Sequence, residues 1–204
     1  MSMSSDLSTS RRIPQQERGE RRVAQLLQAA ASVLAEVGYD AATMTEIAER
    51  AGASIGAVYQ YFPNKEAVVQ ALRNHYSNEM RERWTNLEEF KQGMSGKQIA
   101  HRFVDLMVGF VEEHPAYFAV LDAPVKFRRD QEGRNCLRVH LADLFRGRKA
   151  ALSQERAYRT ANVSLQIIKG MNALYAEANS KEREELMKEY KLALTAYLES
   201  RLAS

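Results

Sequence analysis

Apolar residues recur every three to four positions along most of the 204-residue chain. This is the spacing of one face of an α-helix, and only four prolines and ten glycines interrupt it. The pattern therefore predicts an all-α protein. The longer predicted helices cover, with approximate ends, residues 17–37, 65–90, 97–114, 130–151, 154–178 and 181–202, with a short piece at 116–121.

Two short helices follow the first long one. Thr43 and Glu46 fit the S/T-x-x-E capping box, which marks the start of a helix. Ser54 suits the N-cap of the next helix, which ends near Tyr61. Gly52 lies between them and suits the left-handed backbone of a tight turn. Two short helices joined by such a turn predict a helix-turn-helix, whose second helix enters the major groove of DNA.

The string TMTEIAERAGASIGAVYQYFPNKEAVVQAL at residues 43–72, preceded by LAEVGYDAAT, resembles the DNA-binding region of the TetR (tetracycline-repressor) family. The resemblance covers residues 18–77. It implies a homodimeric regulator, usually a repressor released from a near-palindromic operator by a small-molecule effector. The expected organisation is a disordered arm at 1–13, a three-helix DNA-binding domain at 14–65, and a helical effector-binding and dimerisation domain at 66–204. The long helix that begins at the boundary joins the two domains.

The resemblance also assigns roles within the motif. It makes residues 54–61 the recognition helix, and Gln60 can pair with an adenine edge there. The residues that it places at DNA are Thr43, Thr45, Ser54, Ile55, Gly56, Ala57, Tyr59, Gln60, Tyr61 and Lys65. The threonines, the tyrosines and the lysine are expected on phosphates. Ile55 stands where many members carry lysine, so an operator sequence cannot be transferred from better-known members.

The placement of charge matters more than its total. The net charge is +3, and residues 1–65 hold seven Lys+Arg and seven Asp+Glu, so the predicted DNA-binding domain is formally neutral. Five arginines precede or open the first helix, at positions 11, 12, 18, 21 and 22. They suit phosphate or minor-groove contact. The alternative is a solvated terminal segment.

The larger predicted domain is expected to hold the effector between its helices. Aromatic and methionine side chains there predict an apolar or aromatic effector, although each of them also suits a plain core. The candidates are Trp84, Phe103, Met107, Phe110, Tyr117, Phe118, Leu121, Phe145, Tyr158 and Asn162. Residues 124–159 hold ten Lys+Arg and four Asp+Glu, which suits either an anionic effector or a solvated helix face.

The predicted helix at 154–178 carries two apolar stripes, so it must be covered on two sides. One stripe suits the core, and the other suits a subunit interface. The resembled family forms its dimer through the last two long helices. The predicted dimer contacts are Val163, Ile167, Gly170, Leu174, Tyr190, Leu194 and Tyr197. The alternative is a fully buried helix in a monomer.

A second class of function rests on Cys136, His140 and Asp143, which share one helical face. They suggest a thiol enzyme, a metal site or a redox sensor, the last favoured by the neighbouring Arg134 and Arg138. However, a nucleophile and its base usually come from separate segments, and a metal site needs a further ligand. The chain has no H-E-x-x-H, G-x-G-x-x-G or P-loop motif. We therefore expect a regulator with no cofactor and no catalytic residues.

The single cysteine excludes an internal disulfide and suits a reducing compartment. No apolar run reaches the ~18 residues that a membrane span needs. The serine-rich start has no apolar segment typical of a signal peptide. These observations predict a cytoplasmic protein with no membrane partner.

Overall fold

The computed structural model describes residues 15–85, 94–126, 131–149 and 151–202. Within these ranges the chain is all-α, as predicted, with nine helices and no strand. The helices are α1 (Gln15–Ala41), α2 (Met44–Arg50), α3 (Ile55–Tyr61), α4 (Lys65–Thr85), α5 (Gly96–Glu113), α6 (Tyr117–Asp122), α7 (Gln131–Arg148), α8 (Gln154–Glu177) and α9 (Ser180–Leu202). None of these helices combines the length and apolar composition needed to cross a membrane. The predicted arm and the predicted end of α4 near residue 90 lie outside the described residues.

Helix α1 bends at Gly38, where the pattern predicts its end. The backbone of Gly38 has φ 72° and ψ 178°, a conformation that glycine adopts without steric cost. The chain then makes one more helical turn to Ala41. The carbonyls of this turn accept hydrogen bonds from the ammonium group of Lys65 on α4, so the last turn of α1 is held against the start of α4.

A first hydrophobic core, the head core, lies between α1, α2, α3 and the first half of α4. Ile47 of α2 and Val58 of α3 are buried at its centre, with 1% and 0% exposed. Residues from α6 and its two ends also belong to it, namely Ala116, Val120 and Ala123. The small helical head is therefore completed by a segment that lies far along the chain, beyond the predicted domain boundary at residue 65.

A second hydrophobic core, the body core, lies between α5, α7, α8 and α9. The rings of Phe103 and Trp84 meet edge to face, with 4.6 Å between their centroids. Leu194 and Leu198 of α9 are fully buried in the same core. Trp84 comes from the last turns of α4, so this helix contributes to both cores.

Arg73 fastens α4 to the end of α6. Its Nε donates to the carbonyl oxygen of Val120 at 2.8 Å, and Nη2 donates to those of Leu121 and Ala123 at 2.9 and 2.7 Å. Nη1 donates to the carbonyl oxygen of Val125 at 2.5 Å. A cation is favourable at this helix end because the last carbonyls have no partner within the helix.

Candidate DNA interface and small-molecule cleft

The start of α2 is set by the predicted capping box. The side chain of Thr43 accepts a hydrogen bond from the backbone N–H of Glu46 at 3.2 Å. The carboxylate of Glu46 in turn accepts one from the backbone N–H of Thr43 at 2.9 Å. This reciprocal pair fixes where α2 begins. It confirms the helix start that the sequence predicts.

The turn into α3 also follows the prediction. Gly52 has φ 57°, and the hydroxyl oxygen of Ser54 accepts a hydrogen bond from the N–H of Ala57 at 3.2 Å. Val58 anchors α3 in the head core. Since one side of the helix is fixed inward by Val58, the residues on its other side are directed to solvent.

The outer side of α3 exposes side chains that are normally found inside. Ile55, Tyr59 and Tyr61 are 40%, 50% and 40% exposed, and Gln60 is exposed beside them. At Gly56 an added Cβ would meet no atom within 4 Å, so the backbone is open to an approaching surface. We call this surface, formed by Ile55, Gly56, Tyr59, Gln60 and Tyr61, the exposed face of α3. Several large side chains exposed together on a seven-residue helix indicate a binding surface.

Lys65 has a structural role that the pattern does not predict. Its Nζ lies 2.5, 3.2 and 2.9 Å from the carbonyl oxygens of Tyr39, Asp40 and Ala42, and 4.4 Å from the centroid of the Tyr39 ring. These three acceptors match the three N–H donors of an ammonium group. Its expected contact with a DNA phosphate stays a prediction.

Two acidic side chains of the head accept hydrogen bonds from neighbouring helices, one of them within an ion pair. Arg50 donates two hydrogen bonds to the carboxylate of Glu36, both at 2.6 Å, which ties the end of α2 to α1. These hydrogen bonds hold the pKa of Glu36 below its usual value. The carboxylate of Glu66 accepts a hydrogen bond from the hydroxyl of Tyr39 at 3.1 Å.

A cleft of about 630 Å³ opens between α4, α6 and α7. This volume falls within the roughly 300–1,000 Å³ of small-molecule sites. We call it the α4–α6–α7 cleft. It is lined by Arg73, Asn74, Tyr76, Ser77, Asn78, Met80, Arg81, Tyr117, Val120, Leu121, Ala123, Val125 and Leu137.

The cleft includes two of the residues predicted for the effector, Tyr117 and Leu121. Four other predicted residues belong to the body core, where none is more than 5% exposed: Trp84, Phe103, Met107 and Phe145. Phe110 is fully buried in the head core, against Tyr76 and Tyr117.

The remaining predicted residues lie away from the cleft lining. Phe118 packs against the body core. The hydroxyl of Tyr158 donates to the side chain of Asn135 at 3.3 Å, and the side chain of Asn162 accepts a hydrogen bond from Arg138. The sequence prediction selected apolar side chains, but apolar character does not show whether a side chain borders a cavity.

The cleft also contains residues that the sequence prediction missed. Asn74, Ser77, Asn78 and Arg81 follow the i, i+3, i+4, i+7 spacing of a single helix face. This polar stripe runs beside the apolar stripe of α4. The signal was therefore present in the sequence, as three uncharged polar residues and an arginine on one face of a helix whose other side is buried.

Helix α8 carries an uncovered apolar surface on the side predicted for a partner subunit. Val163 and Leu174 are 37% and 52% exposed, Gly170 is exposed and Ile167 is half-buried. We call these four residues the α8 stripe. On α9, Tyr190 and Tyr197 are half-buried. Leu194, also predicted for the dimer interface, is fully buried in the body core, so its side chain is not on the exposed surface of α9.

Cys136 is exposed on α7, and His140 and Asp143 lie on the same helix. Among the described residues, the one group of three His, Cys, Asp or Glu side chains close enough to share a metal ion is instead Glu79, Glu113 and His114. Arg83 donates to both carboxylates of that group, at 2.6 Å to Glu79 and 2.5 Å to Glu113. Arg83 therefore offsets part of the negative charge of this group within an ion-pair network.

Two family profiles match the chain. The profile of the bacterial regulatory proteins of the tetR family matches residues 26–72, which include α2, α3 and the start of α4. The profile of the tetracyclin repressor-like C-terminal domain matches residues 97–198, which is half of the chain.

Individual relatives agree with these profiles. The transcriptional activator FasR of Mycolicibacterium smegmatis is 48% identical over 62 residues, which is 30% of this chain and 28% of FasR. The chain thus spans under a third of that relative's length. A TetR-family regulator of Streptomyces coelicolor has a TM-score of 0.64 at 24% identity, over 89% of this chain and 99% of the other. The Bacillus subtilis regulator FadR, solved with stearoyl-CoA, has a TM-score of 0.56 at 17% identity, over 88% and 97%.

Proposed function

Because the chain belongs to the tetR family of bacterial regulatory proteins, which are DNA-binding transcriptional regulators, we propose that it is a homodimeric repressor. It acts in the cytoplasm, binds a near-palindromic operator and is released by a small-molecule effector. The exposed face of α3 carries this proposal. A short helix that exposes two tyrosines, an isoleucine and a glutamine around an open glycine is suited to the major groove.

The residues of the motif divide by chemistry. Gln60 offers an amide that can pair with adenine, and Ile55 and Ala57 offer apolar contact to a thymine methyl. Gly56 lets the helix approach the bases closely. We assign the hydroxyls of Thr43, Thr45, Ser54, Tyr59 and Tyr61 to phosphates, which set the register of the helix on the duplex. Lys65 would join them only by releasing one of its three carbonyl acceptors.

The dimer is proposed to form through the α8 stripe. The exposed apolar positions of this stripe need a cover, and a second copy supplies an identical surface across a two-fold axis. Tyr190 and Tyr197 of α9 border the seam. A two-fold dimer presents two copies of α3 to half-sites about one DNA turn apart.

The effector is proposed to bind in the α4–α6–α7 cleft. Tyr117 and Val120 of α6 line this cleft, while Val120 also belongs to the head core. A ligand that displaces α6 therefore disturbs the packing behind α3. Since coupling between two sites is reciprocal, the effector and the operator must weaken each other's binding by the same factor.

Selection of bound sequences from random double-stranded DNA tests the DNA-binding proposal without a known operator. We expect a near-palindrome whose half-sites contain an A·T pair read by Gln60. Gln60→Ala should cost about 1–3 kcal/mol at that pair and relax the preference there. Gln28→Ala, an exposed change on α1, is the matched control. If Gln60→Ala selects the same sequence with unchanged affinity, the assignment of α3 to the bases is wrong.

Transcription from a promoter that carries the selected site tests the sign of regulation. Repression predicts that added protein lowers transcript yield. The Mycolicibacterium smegmatis relative is named an activator, so an increase in yield would overturn the repressor proposal and keep the DNA-binding one.

A further inference from the structure

The two walls of the α4–α6–α7 cleft have opposite character. The α4 wall presents Asn74, Ser77, Asn78 and Arg81 at the spacing of one helix face. The facing wall is mainly apolar and is formed by Tyr117, Val120, Leu121, Val125 and Leu137. An effector that fills this cleft must therefore satisfy polar groups along one side and bury apolar surface along the other.

The charge in the cleft has one sign. Two of its lining residues, Arg73 and Arg81, are arginines, and no described lining residue is an aspartate or glutamate. The Arg73 guanidinium is buried and donates to four carbonyl oxygens of the α6 end. Arg81 is half-buried and donates to the side chain of Asn78 at 2.5 Å. Their positive charge acts in a confined space, where an anion is stabilised more than in open water.

We propose that the effector is an amphipathic organic anion, an apolar chain or ring system that carries a carboxylate or phosphate. Its head group lies at the Arg81 end of the polar stripe, and its apolar part lies against Leu121, Val125 and Leu137. The proposal rests on the proposed function, because it names the ligand of that same cleft. It also replaces the purely apolar effector expected from the sequence, since an apolar ligand would displace water from the amides and from the Arg81 guanidinium, whereas an anion supplies further hydrogen-bond acceptors.

Calorimetric titration of the full chain tests the charge requirement with three probes that share a twelve-carbon chain. Dodecanoate carries a carboxylate, dodecanoyl-coenzyme A carries phosphates, and dodecanol is neutral. We expect at least one of the two anions to bind about tenfold or more tighter than dodecanol. The stronger of the two identifies the head group as carboxylate or phosphate. Equal binding of all three probes, or binding of none, would overturn the proposal.

Three variants locate the head group and the apolar part. Arg81→Gln should weaken the better anion about ten- to hundredfold and leave dodecanol within about twofold. Arg159→Gln, an exposed change on α8, should leave both affinities unchanged. Leu121→Ser should weaken the anion and the alcohol alike, since it alters the apolar wall. Equal losses for both probes in Arg81→Gln would contradict the assigned position of the head group.

Operator affinity, measured with and without the best probe, separates this inference from the proposed function. A probe that binds through Arg81 but leaves operator affinity unchanged would keep the ligand class and refute ligand control. If a neutral compound releases the operator while both anions fail to bind, ligand control is kept and the anionic ligand class is refuted.

Discussion

The two hydrophobic cores of the molecule are built differently. The body core is formed by long helices, and large side chains such as Phe103, Phe145 and Leu198 are fully buried in it. The head core is formed by the long helices α1 and α4 together with the short helices α2 and α3, and it is complete only when Phe110 of α5 and Ala116 and Val120 of the α6 segment pack into it. The body core thus closes on helices of its own domain, whereas the head core depends on a segment from beyond the predicted domain boundary.

This difference suggests a route by which the proposed binding of an effector in the cleft would affect α3. Helix α4 contributes Leu72 and Tyr76 to the head core and Trp84 to the body core, and Arg73 ties it to the end of α6. Helix α6 in turn lines the α4–α6–α7 cleft. The proposed effector would therefore act on α6, which belongs to one of the segments beyond residue 65 that complete the head core. The following changes test this comparison, in order of decreasing effect.

Phe103→Ala should weaken the body core without altering the head. The side chain is fully buried against Trp84, and removal of a buried phenyl ring typically costs about 3–5 kcal/mol. Urea unfolding followed by circular dichroism measures this loss. Operator affinity, measured where the variant is still folded, should change less than twofold. A large loss of affinity in the folded variant would show that the two cores are not separable.

Arg73→Met should weaken the contact between α4 and α6. It removes four hydrogen bonds and leaves carbonyl oxygens near the buried end of α6 without a donor, for an expected loss of about 2–4 kcal/mol in the free energy of unfolding. Arg73→Lys is the control, because it keeps the charge and part of the donor set. We also expect the operator response to the effector to fall more than effector binding itself. An unchanged response would assign the coupling to another contact.

The local features of the fold could be predicted from the sequence. The capping box at Thr43 and the N-cap Ser54 are signals within four residues, so the starts of α2 and α3 were predicted closely. The apolar pattern predicts that the first helix ends at residue 37, but the chain bends at Gly38 and the helix continues to Ala41. The carbonyls of this continuation accept hydrogen bonds from Lys65, which lies more than twenty residues further along.

The long-range features could not be predicted in this way. Arg73 binds carbonyls 47 to 52 residues away, and backbone acceptors carry no residue-specific signal. Helical spacing also assigned Leu194 to a partner, whereas α9 directs it into the body core and leaves Leu192 64% exposed. The apolar residues of such a helix shift gradually around its circumference, so the sequence alone is compatible with more than one orientation of the helix about its axis. Only the packing partners decide which side is buried.

Lys65→Met should weaken the contact between α1 and α4 inside the head. The change leaves the carbonyls of Tyr39, Asp40 and Ala42 without their shared donor, but these groups are only partly buried and can bind water. We expect a loss of about 1–2 kcal/mol in the free energy of unfolding, measured with urea. Lys188→Met, an exposed change on α9, should stay within about 0.5 kcal/mol. An equal effect of both variants would contradict the role of Lys65 in holding α1.

Glu79→Gln should have the smallest effect, and its size should depend on pH. Glu79 is on α4 and accepts hydrogen bonds from His114 at 3.1 Å and Arg83 at 2.6 Å. Burial acts to raise the pKa of Glu79, but these hydrogen bonds and the nearby positive charges outweigh it and lower the pKa below the usual 4.5. The unfolded chain therefore binds a proton at Glu79 more readily than the folded chain does. Its contribution to stability is present above about pH 4.5 and is lost as the pH falls through the folded-state pKa.

The difference in stability between the native chain and Glu79→Gln isolates this contribution, because Glu36 and Glu113 also have lowered pKa values and titrate in both proteins. We expect Glu79→Gln to cost less than about 1 kcal/mol near pH 7. The difference should shrink as the pH falls from about 5 through the lowered pKa of Glu79, because the native carboxylate then becomes protonated. Urea unfolding at several pH values measures it. A difference that stays constant over this range would show that the α4–α5 contact depends on shape at position 79 and not on its charge.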